Sequence, residues 1–376
     1  MDVPPPSLYI HVPFCARRCP YCDFAVSVNG RADFRAAYVE ALKIELRAQL
    51  CGTKATLHTI FCGGGTPTEL SASQLNSLLE TVRECAVIAP DAEVSLEANP
   101  ENLSSATLAE LRDGGWNRLS LGAQGFDDQT LGFLGRAHDG ARVESAVRDA
   151  RETGWKDISL DLIFGAPSQS LDLWRETLKR AVELDVPHVS AYSLTLEAGT
   201  ALGLRASKGT FFELGEDALA DRMDAACEIL GSAGLERYEV SNWAKPGKEC
   251  RHNQNYWRGG SYFAVGCGAH GHFDGERFWN ERDTKIYVRC VTQKGGARVE
   301  TERLSPRQRL IERIATGLRT REGVALEENE VALLQPTLGF LCRAGALRLC
   351  DGYLQPQPSA FALADGLAER LIGHIL

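Results

Sequence analysis

"LYIHVPFCARRCPYCDF", residues 8–24, runs an apolar, β-prone segment straight into three cysteines spaced C-x3-C-x2-C: Cys15, Cys19 and Cys22. The run LYIHV (8–12) has the length and composition of a strand. The cysteines follow it without a break, so they lie at its carboxyl end. Barrels and open α/β sheets gather their chemistry on that edge. If the run opens a repeating strand–helix pattern, fold and site are decided together.

The pattern does repeat. Strand-like runs recur at LHTIFC (57–62), EVSLEA (93–98), RLSLGAQ (118–124), ISLDLIF (158–164) and HVSAYSL (188–194). Helix-period segments lie between them at 34–50, 71–85, 105–115, 141–154 and 171–184. In the second of these, Leu75, Leu78, Leu79 and Val82 keep helical spacing behind a Ser71 cap. Six strands alternating with helices predict a parallel sheet covered by helices. No G-x-G-x-x-G follows the first strand, so a dinucleotide-binding domain lacks its signature. The expectation is an α/β fold, a partial (β/α)6 barrel over residues 1–235. An α+β extension over 236–300 and a small winged-helix-like domain over 301–376 should follow.

Composition sets limits. The 376 residues carry 44% hydrophobic and 24% charged side chains and a net charge of −9, as in a soluble globular protein. Such an acidic balance gives nucleic acid no general footing. The segment MDVPPPSLYI has neither the basic nor the apolar region of a secretory signal, and no run is long enough to span a bilayer. A cytoplasmic location follows as the expectation. In a reducing compartment the twelve cysteines read as metal ligands, reactive thiols or small packed residues rather than a disulfide frame. Most of those outside the triplet, a set that includes Cys51 and Cys85, are expected to be packed as small hydrophobes.

Three thiolates are one short of a structural zinc site, which wants four protein ligands. A [4Fe–4S] cluster held by three cysteines keeps one iron open to a small chelating molecule. Zinc, or three reduced core cysteines, are the alternatives. The short, polar, proline-containing segment at a strand's carboxyl end favours the cluster. CGGGTPT (62–68) ends the second strand; its glycines bring the backbone close to a ligand. Polar residues then close successive strands: Glu97 the third, Gln124 the fourth, and Asp161 on the fifth, with Arg136 in LGRAH.

The cysteine spacing, with Tyr21 before the last thiol, resembles the cluster motif of radical S-adenosylmethionine (SAM) enzymes. The ordered set YIHVPFC, CPYCDF, GGGTPT, LEANP, LGAQGF, LGRAH, DLIFGAP and YSLTLEAGT narrows the resemblance to the oxygen-independent coproporphyrinogen III oxidase family, across nearly the whole chain. That likeness implies a radical SAM partial barrel. It assigns SAM contacts to Tyr9, Tyr21, Gly64, Gly65, Thr66, Glu97, Gln124, Arg136 and Asp161.

Within the family, the oxidase continues its motif with a further cysteine where this chain has Phe24, and carries an N-terminal segment ahead of the first strand. Here that strand begins by residue 8. Both departures resemble the heme-chaperone branch, whose H-N-x-x-Y-W motif stands here as His252, Asn253, Tyr256 and Trp257. The resemblance implies heme as a ligand, with His252 its candidate residue and His270, His272 and Cys250 less specific ones. Cys267 stands where the family usually has proline. It also implies heme delivery to membrane-bound respiratory enzymes without coproporphyrinogen oxidase activity. The alternatives are the oxidase itself or a heme-degrading radical SAM methyltransferase. Peripheral membrane contact, and a monomer or cluster-dependent dimer, stay open.

Overall fold

The computed structural model describes residues 6–28, 30–373 and 375. Six parallel strands form its centre: β1 (Ser7–Val12), β2 (Thr56–Gly64), β3 (Val87–Ala98), β4 (Arg118–Gln124), β5 (Asp157–Phe164) and β6 (His188–Ser193), paired in chain order. The expected runs all become strands. RLSLGAQ is β4 from end to end, whereas β3 begins six residues before its expected start.

Helices α1 (Ala32–Leu50), α2 (Ala72–Cys85), α3 (Ser105–Gly114), α4 (Asp128–Phe133), α5 (Gly140–Glu152) and α6 (Leu171–Glu183) lie between these strands. Their starts are set by local chemistry. Ser71, Ser104, Asp139 and Ser170 each accept a backbone N–H from the first turn of α2, α3, α5 and α6, and Ser71 forms a reciprocal capping box with Gln74. The short α4 and α7 (Ala201–Ser207) were not expected; one or two turns leave little periodicity to read. Leu8, Ile10, Leu42, Leu46, Leu75, Leu121, Leu160 and Trp174 belong to one buried core between strands and helices.

Beyond α8 (Glu216–Ser232) the chain adds strands to both edges of this sheet. β7 (Glu236–Glu239) and β8 (Asn242–Ala244) form a hairpin beside β6. After α9 (Arg251–Trp257), β9 (Tyr262–Val265) pairs in parallel with β1. β10 (His270–Phe273), β11 (Glu276–Asn280) and, past α10 (Thr284–Lys294), β12 (Arg298–Arg303) continue outward in antiparallel fashion. The residues expected to form one extension thus flank the central strands on two sides of a twelve-stranded sheet. β12 is an outer edge, and all six of its residues are exposed.

The tail packs a core of its own from Leu310, Ile314, Leu338, Leu354 and Leu371. Helix α11 (Pro306–Gly317), short helices at 328–333 and 337–343, and a hairpin at 347–356 give the winged-helix-like order. It attaches where β7 lies, through a Glu239–Thr320 bridge and the Arg321–Glu236 and Arg258–Glu322 pairs. Among the described residues no helix is long and apolar enough to cross a membrane.

Two cysteines depart from the expected packing. Cys51 and Cys85 are not packed as separate small hydrophobes but form a disulfide. Cys51 caps α1 and Cys85 ends α2, and the two helices pack side by side. Their carboxyl ends meet although 34 residues separate the cysteines, which sequence spacing alone does not reveal.

Candidate functional site

The cysteine loop is pinned at both ends. Phe14–Cys15 pairs with Ser27–Val28, and the Ser27 N–H donates to the Pro13 carbonyl at 2.7 Å. Inside this clasp His11 acts as a strut. Its Nε2–H donates to the Ala25 carbonyl at 2.9 Å, and its Nδ1 accepts the Tyr9 hydroxyl at 2.9 Å. Burial, the largest influence, lowers the His11 pKa to about 4 and keeps the ring neutral.

The glycine loop lies directly on this clasp. Gly65 N–H donates to Val12 and Thr66 N–H to Phe14. Gly64 has φ +115°, and a Cβ there would stand 2.5 Å from the His11 ring, so backbone and space both require glycine. Its N–H donates to Glu97 Oε2 at 3.0 Å.

A cavity of about 610 Å³ opens over these elements. It is lined by Cys15, Cys19, Cys22, Tyr21, Gly64, Gly65, Thr66, Glu97, Gln124, Arg136 and Asp161. Tyr9 is not on that lining. It borders a deeper cavity of about 300 Å³ that shares Glu97 and Asp161 with the first. Every expected SAM residue therefore faces one or the other.

The chemistry of the lining is mixed. Burial, then Asp161, push the Glu97 carboxyl up to about 7. Burial also raises Asp161, which accepts the Ser120 hydroxyl at 2.8 Å. Gln124 holds a left-handed φ of 62°, uncommon outside glycine and frequent at functional sites. Arg136 donates to Gly122 O, to Asn99 Oδ1 and, at 3.7 Å, to Cys19 Sγ. Thr66 Oγ1 donates to Cys15 Sγ at 3.7 Å and accepts from Asn99 Nδ2. Burial pushes the Cys15 thiol up to about 11 and raises Cys22. Protonated thiols do not repel one another; a bound cation would take them as thiolates. Among the described residues no three sulfur, imidazole or carboxylate groups are drawn to metal-ligand spacing. The donor set nonetheless suits an iron–sulfur cluster, because three soft ligands on one short loop face one cavity. Phe24 stands on the rim, 64% exposed.

The heme-region motif lines the inner cavity, where His252, Asn253 and Tyr256 face it together with Cys250. His252 is completely buried at the start of α9. Thr59 donates its hydroxyl to Ser7, so His252 Nδ1–H donates to Thr59 Oγ1 at 2.7 Å. Nε2 then accepts the Tyr256 hydroxyl at 2.7 Å. Both ring nitrogens are used, and iron could reach Nε2 only if Tyr256 left. Cys250 and Cys267 are also buried, Cys250 against Glu93.

Several residues went unnoticed in the sequence. Asn99 links Thr66 to Arg136, and His138 bridges Glu101 to the Ala123 carbonyl. The inner cavity is lined by Ser95, Ser120, Ser159, Ser190, Arg118 and His188. Its signal is present in period two: Ser95–Glu97, Arg118–Ser120, Ser159–Asp161 and His188–Ser190–Tyr192 all point inward from apolar strands.

Residues 9–181 match the radical SAM superfamily. The chain is 39% identical to the heme chaperone HemW of Mycobacterium tuberculosis, over 98% of this chain and 95% of that protein. It is 40% identical to the heme chaperone HemW of Escherichia coli over 72% of this chain and 71% of the other. Among solved structures, the radical SAM enzyme coproporphyrinogen III oxidase (HemN) from Escherichia coli superposes with a TM-score of 0.83 at 22% identity, covering 98% of this chain and 90% of that one. That likeness establishes the shared fold.

Proposed function

The chain belongs to the heme chaperone HemW family within the radical SAM superfamily, and from that premise we propose that it binds heme and passes it to membrane respiratory enzymes, carrying a [4Fe–4S] cluster and SAM at the larger cavity. The observation that carries the reading is the 39% identity maintained along 98% of the chain. It spans barrel, sheet extension and tail alike.

Cys15, Cys19 and Cys22 would hold the cluster. A reduced cluster of this kind supplies an electron that can open a carbon–sulfur bond of SAM. The chain's own residues orient the ligand. The Glu97 carboxyl can accept ribose hydroxyls, Arg136 can pair with the SAM carboxylate, and the Gly64–Thr66 backbone brings the ligand close to the thiols. Phe24 supports the chaperone over the oxidase, because an exposed phenyl ring occupies the place of the oxidase's additional cysteine. The reading places the protein in the cytoplasm. Its partners are heme and apo heme proteins of the respiratory chain, and the net charge of −9 argues against nucleic acid.

The test is an anaerobic one on reconstituted protein with SAM and a reductant. One tube receives coproporphyrinogen III and the other heme. The chaperone should hold heme, read by its Soret band, and leave the porphyrinogen intact by mass spectrometry. Loss of two carbon dioxides from the porphyrinogen would make the protein an oxidase. Consumption of heme would make it a heme-degrading enzyme.

A further inference from the structure

An iron ligand must present a free nitrogen lone pair to the metal. Four of the described histidines do not. His11 lies between Tyr9 and Ala25, His138 between Glu101 and Ala123, and His188 between Ser159 and Tyr238. His252 is held between Thr59 and Tyr256. His58 and His272 are half-buried, and His272 Nδ1 is 3.3 Å from the Gly260 carbonyl. His270 alone among the described histidines is exposed, and among the described residues neither of its ring nitrogens has a hydrogen-bond partner.

Its surroundings fit a flat, partly anionic ligand. His270 opens β10 and pairs with Trp279 of β11, their rings stacked at 5.8 Å and 21°. The turn before it touches the cysteine loop: a Cβ on Gly268 would lie 2.9 Å from Ala25 Cβ. Arg282 crosses the same seam, donating to the Asp23 carbonyl and, at 3.3 Å, to Asp23 Oδ1. Only Nη2 of Arg282 is used there, and its side chain is 62% exposed. The remaining N–H groups can take a carboxylate. Phe24 is the next residue after Asp23.

We propose that His270 is the heme-iron ligand, on an external platform where Trp279 backs the imidazole and Arg282 receives a propionate beside the cysteine loop. The assignment rests on the heme-chaperone reading above. His252 then acts through packing, as a positioning residue. A run of rings leads from it through Tyr256 (4.7 Å) and Tyr262 (4.6 Å) to His272 (6.4 Å) on the same strand as His270. An outer platform also suits a carrier, since cargo bound at the surface can be handed on without opening the barrel.

The test is titration of ferric heme into the full chain and into His270→Ala, His252→Ala and Arg282→Ala variants, read by the Soret band and by electron paramagnetic resonance of the iron. Circular dichroism and SAM binding report folding. His270→Ala should bind heme at least tenfold more weakly with an altered ligand signature, and added imidazole should restore that signature. Arg282→Ala should weaken binding with the signature intact. His252→Ala should keep the wild-type signature on whatever heme it binds. A folded His270→Ala protein with wild-type spectrum and affinity would overturn the assignment while leaving the chaperone reading in place. A wild-type chain that binds no heme at all would remove both.

Discussion

Glu97 combines two demands at one residue: it accepts the Gly64 N–H and it faces the cavity beside Asp161. Its carboxyl is raised from an ordinary 4.5 to about 7, so between those values the folded chain holds a proton that the unfolded chain has released. Its contribution to stability therefore falls as pH rises from about 4.5 to about 7. Buried His11 and His252 act in the opposite sense. Their values fall to about 4 and about 3, so the stability they confer is present above 6.5 and is lost as acid charges them. A Glu97→Gln variant isolates the first effect. Its urea-unfolding free energy relative to wild type should climb through pH 4.5–7 and then level, and a flat difference would refute the assignment. The same variant should weaken SAM binding. At the cysteine loop, Cys19→Ser should abolish the visible absorbance, iron and sulfide of reconstituted protein while the apoprotein stays folded. Full iron and sulfide content would show that Cys19 is not a ligand.

Elements are joined by a few buried polar side chains, and Glu45 is the clearest of them. It lies 2% exposed on α1 and accepts from Gly266 N–H (2.9 Å), Asn280 Nδ2 (2.8 Å) and Tyr287 OH (2.7 Å). A barrel helix is thereby tied to the sheet extension. Glu45→Leu would leave three donors without their acceptor and should cost about 3 kcal/mol in denaturant unfolding. Such a tie could not be read from sequence, because its ends lie more than 200 residues apart. What could be read was local. The strand runs, the Ser and Asp caps and the cysteine and glycine loops are each encoded within a few neighbouring residues. The inward-facing serines are masked in the sequence, because the strands stand out by their apolar content and small polar residues at period two do not interrupt it. His270 was legible as a candidate, but its exposure depends on which strand pairs beside it.

At the scale of the whole molecule, twelve strands in one sheet leave two ends. One is covered where Glu239 bridges to Thr320. The other is β12, six exposed residues reading RVETER, whose outer backbone groups have no neighbouring strand among the described residues. A long sheet with such a border is a template on which another chain could lay its own strand. Arg298, Glu300, Glu302 and Arg303 make that addition costly, since joining strands would have to strip water from charges. Replacing Glu300 and Glu302 together by valine should therefore leave the circular-dichroism spectrum unchanged yet bring light scattering forward on gentle heating. Unchanged scattering would mean that the border is shielded by something other than charge. Earlier scattering in that variant would mean that colloidal behaviour is set at six residues far along the chain from the cysteine loop, where solubility can be altered without touching the candidate ligands.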